Sequence, residues 1–134
     1  MNEPKWLSVD AVLTIHELQL RRFGGPAGIR DQGALESALG RAQNRWAYEQ
    51  AELPQLAAAY AFGIARNHPF VDGNKRTALL SIIAFLGLNE FALIASEAEA
   101  VIMIRGLAAG ELDENAIARW IGDNVKPRPD FVAK

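Results

Sequence analysis

The sequence predicts an all-α fold, a single-domain bundle of about six helices. Apolar residues recur at three- and four-residue spacing in successive segments, and those segments are bracketed by capping residues and by glycine or proline stops. No run alternates with the period of two that a half-buried strand requires. The chain has 134 residues, so one unit spanning 1–134 is expected, typical domains running to roughly 100–150 residues.

Ser8 is a suitable N-cap for a first helix, 8 to 22, whose stripe includes Val9, Val12, Leu13, His16 and Leu20 before Phe23-Gly24-Gly25-Pro26 stops it. A glycine-rich turn leads to Asp31, which can cap a second helix carrying Leu35, Ala38, Leu39, Ala42 and Trp46. Pro54 suits a first helical turn and opens a third, Gln55 to Asn67, rich in alanine. Pro69 ends it, because proline disfavours helical backbone in the residue before it. A fourth helix begins near Asp72 to Asn74 and reaches Leu88. It is apolar on nearly every side, which predicts a central hydrophobic helix. Ser96 to Glu99 reads as a capping box for a fifth helix ending at Gly110, and Asp113 caps a sixth with Ile117, Trp120 and Ile121 as its stripe. A short hairpin around Glu90 to Leu93 and an extended or frayed tail from about residue 125 complete the expectation.

Half of the residues are hydrophobic and 22% are charged, the balance of a globular domain. The absence of cysteine removes thiolate nucleophiles and cysteine-rich zinc sites. Lys plus Arg number 14 against 16 Asp plus Glu, a net of −2, which argues against nucleic acid as a direct partner. No apolar stretch approaches the ~18 residues of a membrane span, and Met1 to Lys5 lacks a basic region followed by an apolar run, so the expected location is the cytoplasm.

One stretch stands apart, His68-Pro69-Phe70-Val71-Asp72-Gly73-Asn74-Lys75-Arg76. It places an imidazole at the end of one helix and a carboxylate, a glycine, an amide and two cations at the start of the next. A helix start presents unpaired N–H groups and a positive dipole end, and cations there oppose the dipole by several tenths of a kcal/mol each. Two of them at that place point to a bound anion, phosphate above all. Gly73 permits close backbone approach, Asn74 can brace the loop or donate to oxygen, and Arg76 can hold phosphate oxygens with a planar fork. Asp72 suits Mg²⁺, which takes one or two carboxylates plus phosphate oxygens. His68 adds a group that can accept a proton, and a base beside a nucleotide suggests group transfer. Arg66, just before it, could reach a phosphate or pair with a carboxylate.

This stretch resembles the signature of the Fic/Doc superfamily, His-Pro-Phe-x-Asp/Glu-Gly-Asn-Gly-Arg-x-x-Arg in the Fic branch and His-x-Phe-x-Asp/Asn-Ala/Gly-Asn-Lys-Arg in the Doc, or death-on-curing, branch. The chain follows Doc: Lys75 replaces the second glycine of Fic enzymes and Leu79 their second arginine. The resemblance extends through Gly24-Gly25, Gly28, Asp31-x-Gly33-x-Leu35-Glu36, Arg41 and Tyr48-Glu49, over roughly residues 7 to 124. It implies a bacterial toxin of a toxin–antitoxin pair, a kinase that uses ATP and Mg²⁺ to phosphorylate a threonine of translation elongation factor Tu. His68 would then be the base, Asp72 the metal ligand, and Gly73, Asn74, Lys75 and Arg76, with Arg66, the phosphate-binding set. Lysine in place of glycine would crowd the α- and β-phosphate seat of Fic enzymes and favour a reversed nucleotide presenting its γ-phosphate. The rival readings are Fic-type AMP transfer and a non-catalytic toxin or co-repressor. No Ser or Thr has Glu four positions on, so the inhibitory helix of many Fic proteins is missing. The resemblance implies an inhibitor in trans, an antitoxin that folds as a helix into a groove and through which alone DNA would be reached.

Outside this stretch the residues read as structural. His16, Trp6, Trp46 and Trp120 suit core or interface positions. Gly24, Gly25 and Gly28 suit a turn rather than a P-loop, and Gly63 suits close helix packing.

Overall fold

The computed structural model describes residues 2–129. Within them lie α1 (Val9–Phe23), α2 (Gln32–Glu49), α3 (Leu53–Asn67), α4 (Asn74–Leu88), β1 (Phe91–Leu93), α5 (Glu97–Ala109), α6 (Glu114–Asp123) and β2 (Val125–Pro127). The all-α reading holds, and four of the expected caps are formed. Ser8, Asp31, Ser96 and Asp113 each accept a hydrogen bond from the backbone N–H three residues on. The third helix starts two residues earlier than expected. Glu52 is its N-cap, the Glu52 N–H donates to Gln55 Oε1 at 2.8 Å, and Pro54 occupies the first turn.

Two expectations are corrected. The residues around Glu90 to Leu93 form no local hairpin; β1 instead pairs antiparallel with the chain's tail, Phe91 opposite Pro127 and Leu93 opposite Val125. Ser96 starts α5 so soon after β1 that the strand's partner must come from elsewhere, and the extended tail supplies it. The last part of that tail, 130–134, lies outside the described residues. The centre of the bundle is α3 rather than α4. It packs against α2, α4, α5 and α6, and nine of its residues are buried. Small side chains decide this, since they let neighbouring backbones approach on several sides. A Cβ on Gly63 would lie 2.6 Å from Ala38 Cβ on α2. The more apolar α4 leaves Leu80, Ile83 and Leu88 exposed, and of these Leu80 lines a cleft.

The N-terminal segment is tied to this core through Tyr60, fully buried on α3 and packed against Phe85 at 5.1 Å between ring centroids. Its hydroxyl accepts from the Leu7 N–H at 3.1 Å. Burial pushes the Tyr60 hydroxyl up to about 12, the Leu7 bond offsetting only part of that. The group stays neutral in the folded chain after it would ionise in the unfolded one. It therefore contributes stability that is complete below its ordinary value of about 10 and is lost as pH rises toward about 12. Melting temperature should fall across that interval, with a loss of about 2–3 kcal/mol. In Tyr60→Phe the same alkaline limb should be visibly flatter; an equally steep limb would refute the assignment.

Candidate active site

The signature segment is shaped from its two ends. Pro69 denies His68 the helical conformation, and His68 becomes the C-cap of α3 with left-handed backbone, φ 49° and ψ 61°. Phe70 is buried and acts as the anchor of the turn. The His16 ring stacks on it at 3.8 Å, nearly parallel, and His16 Nε2 donates to the Asp72 carbonyl at 2.7 Å. His16 is therefore structural, as expected, and its structural task is to hold this loop. From the other side the α1–α2 turn lies along the segment: Val71 N–H donates to Gly28 O at 3.0 Å, and Arg30 and Asp31 N–H both donate to Pro69 O.

Asn74 resolves the alternative its type left open. Its Oδ1 accepts from Phe70 N–H at 3.0 Å and its Nδ2 donates to Phe70 O at 2.9 Å. The amide thus braces the loop, and what it offers an anion is its backbone N–H at the first residue of α4. Gly73 is the N-cap, left-handed at φ 77°, and a Cβ there would run into the Gln19 side chain at 2.1 Å. Only glycine fits. Having no side chain, it caps nothing, so the first N–H groups of α4 are left for an outside acceptor. Gln19 is buried directly beneath, and its amide makes no hydrogen bond among the described residues.

These residues border a cleft of about 690 Å³. His68, Asp72, Gly73, Asn74, Lys75 and Arg76 form one wall, Leu79 and Leu80 continue it along α4, and α5 supplies the opposite wall with Glu97, Val101, Ile104 and Arg105. Phe23 also lines the cleft, with the Arg76 guanidinium 4.3 Å above its ring. The His68 ring is exposed to this space and accepts no hydrogen bond from the described residues. A broader hollow of about 810 Å³ along α2 has no imidazole in its lining, whereas the smaller cleft has His68. Asp72 is exposed, with Oδ2 placed 2.4 Å from where a Gly25 Cβ would be, and Gly25 has φ 117°, a backbone conformation that side-chain-bearing residues rarely adopt. No cluster of three metal-ligating side chains exists among the described residues. A single carboxylate beside an anion cradle suits Mg²⁺ that arrives with phosphate oxygens.

Arg66 is not brought to the cleft. It stacks over Phe62 at 5.2 Å, beside Arg41 at 4.6 Å from the same ring, because residues four apart in a helix lie on one face. Glu97 and Arg105 were missed by the sequence reading. The available signal was their spacing with Val101 and Ile104, which puts all four on one face of α5.

Residues 6–86 match the model of the Fic/DOC family. The chain belongs to that family. Among its relatives, "Protein kinase doc" of Escherichia phage P1 is 36% identical over 113 residues, 84% of this chain and 89% of the relative. "Toxin Doc" of Mycolicibacterium smegmatis (strain ATCC 700084 / mc(2)155) is 39% identical over 94 residues, 68% of this chain and 69% of the relative. The assignment to the Doc side of the family agrees with Lys75 and Leu79 in the signature. The matched segment ends within α4, so the α5 wall of this Fic/DOC protein lies beyond it. No described helix is long and apolar enough to cross a membrane.

Proposed function

We propose that this chain is a Doc-like toxin acting in the bacterial cytoplasm, a kinase that moves the γ-phosphoryl group of Mg·ATP to a threonine hydroxyl of elongation factor Tu and so halts translation. The observation that carries the proposal is the meeting of an unbonded imidazole, His68, with the uncapped N-terminus of α4 and the cations Lys75 and Arg76 in one cleft. His68 takes the proton from the attacking hydroxyl. The N–H groups of Gly73 and Asn74 and the Lys75 ammonium hold phosphate oxygens and counter the charge that develops on them. Asp72 would hold Mg²⁺, which when bound draws charge from the phosphate oxygens. Arg76, already set against Phe23, lines the same cleft.

The names of the relatives support a toxin with a cognate antitoxin. The apolar part of the cleft, with Phe23, Leu80 and Val101 exposed, suits an amphipathic segment that folds as a helix on binding. DNA would be engaged through that antitoxin.

Phosphoryl and AMP transfer separate by where the label sits. Purified elongation factor Tu is incubated with Mg·ATP labelled at the α- or γ-position, and label is expected to move from the γ-position alone. Lys75→Gly should lower that transfer by about 100-fold, as for loss of a donor to developing charge, and favour transfer from the α-position. Label from the α-position in the unsubstituted chain would establish AMP transfer; label from neither would favour a toxin or co-repressor that acts by binding.

A further inference from the structure

Resting on the reading of His68 as the base, we infer that Arg30 is the residue that positions it. The His68 ring has no hydrogen bond from the described residues to aim it, so its direction is set by its backbone. That backbone is left-handed at φ 49°, a conformation non-glycine residues adopt rarely and at some cost. The Arg30 guanidinium donates from Nη2 to the Asn67 carbonyl and from Nε to the His68 carbonyl, both at 2.6 Å. Those carbonyls belong to the two peptide planes on either side of the His68 Cα. With both planes pinned by one rigid planar fork, φ and ψ of His68 are constrained together, and with them the Cα–Cβ direction along which the imidazole leaves the chain.

Arg30 is itself held at both ends. Its N–H donates to Pro69 O at 2.7 Å, and its neighbour Ile29 forms a bridge with Phe70. The last carbonyls of α3 also carry the negative end of the helix dipole, which favours a cation there over any neutral donor. The side chain is exposed and lies outside the cleft-lining set, so it acts through His68 rather than on a nucleotide.

The chain contains two histidines, so the imidazole Cε1–H resonances of the full chain separate His68 from His16. In Arg30→Met the His68 resonance should shift or broaden while that of His16 stays in place. The kcat for phosphoryl transfer should fall about 10- to 100-fold with KM for ATP unchanged, the mark of a misaligned base. Arg30→Lys should fall between, since an ammonium keeps the charge but lacks the planar fork. A His68 resonance unmoved in both variants overturns the inference, as does KM for ATP rising while kcat holds. If Arg30→Met does not melt cooperatively, Arg30→Lys decides on the same criteria. If the unsubstituted chain transfers no phosphoryl group, the kinase reading fails, and the His68 resonance alone decides whether Arg30 holds it.

Discussion

Replacing His68 with alanine should reduce phosphoryl transfer to elongation factor Tu by about 10²- to 10⁴-fold, the usual worth of a positioned general base. The chain should remain folded. His68 is exposed, so truncating it leaves no buried cavity, and the backbone at this corner is held by Arg30, Asp31 and Asn74. Loss of rate with an unchanged melting curve is the expected pair of results. His68→Asn, which keeps a polar group of similar reach but cannot take the proton, should be nearly as inactive. Growth inhibition in cells should disappear with either substitution if the toxin acts by catalysis. A His68→Ala chain that still stops growth at the original dose would refute the base assignment and leave a mechanism of occupancy.

The largest effect on stability is expected at Glu114. This carboxylate opens α6, is 8% exposed, and joins α6 to α2 by accepting from Arg41 Nε at 2.9 Å and from Arg45 Nη1 at 2.8 Å. Burial draws the Arg45 guanidinium down, but its hydrogen bond to Glu49 and the charge and hydrogen bond of Glu114 outweigh that and hold it above its ordinary range. Removing the carboxylate strands these cations in a partly dry site, a change that costs about 3–5 kcal/mol when a buried pair is broken. Arg45 keeps Glu49 and Arg41 keeps the face of Phe62, which places Glu114→Ala near the lower end, about 3 kcal/mol. Urea unfolding followed by circular dichroism reads this as a lowered midpoint with the slope preserved. Glu114→Gln, which retains hydrogen-bond acceptance without charge, should lose less. A midpoint in Glu114→Ala equivalent to less than about 1 kcal/mol would show the network to be worth no more than a surface ion pair.

Much of this molecule is written locally. Four capping side chains, the prolines at positions 54 and 69 and the glycines after α1 and α5 act within a few residues, so the helices and their limits could be read along the chain. The chemistry of the signature was legible for the same reason. An imidazole, a carboxylate and two cations are held within nine residues around one tight turn, so their proximity needs no distant contact, and the cleft does gather His68, Asp72, Gly73, Lys75 and Arg76.

What remained was decided by which faces meet, and that depends on pairings far apart in sequence. The strand at Phe91 finds its partner more than thirty residues on because unsatisfied backbone groups take whatever edge packing brings near. Apolar content named α4 as the centre, yet small side chains admit close neighbours on more sides, and α3 took that place. Asn74 became a brace because the Phe70 backbone lay within its reach, and Arg66 turned to Phe62, one helical turn before it on the same face of α3. Arg30 and the α5 wall reached the site only when the bundle closed. Local propensity thus determines the elements and the reacting groups, while long-range packing determines how those groups are held and aimed.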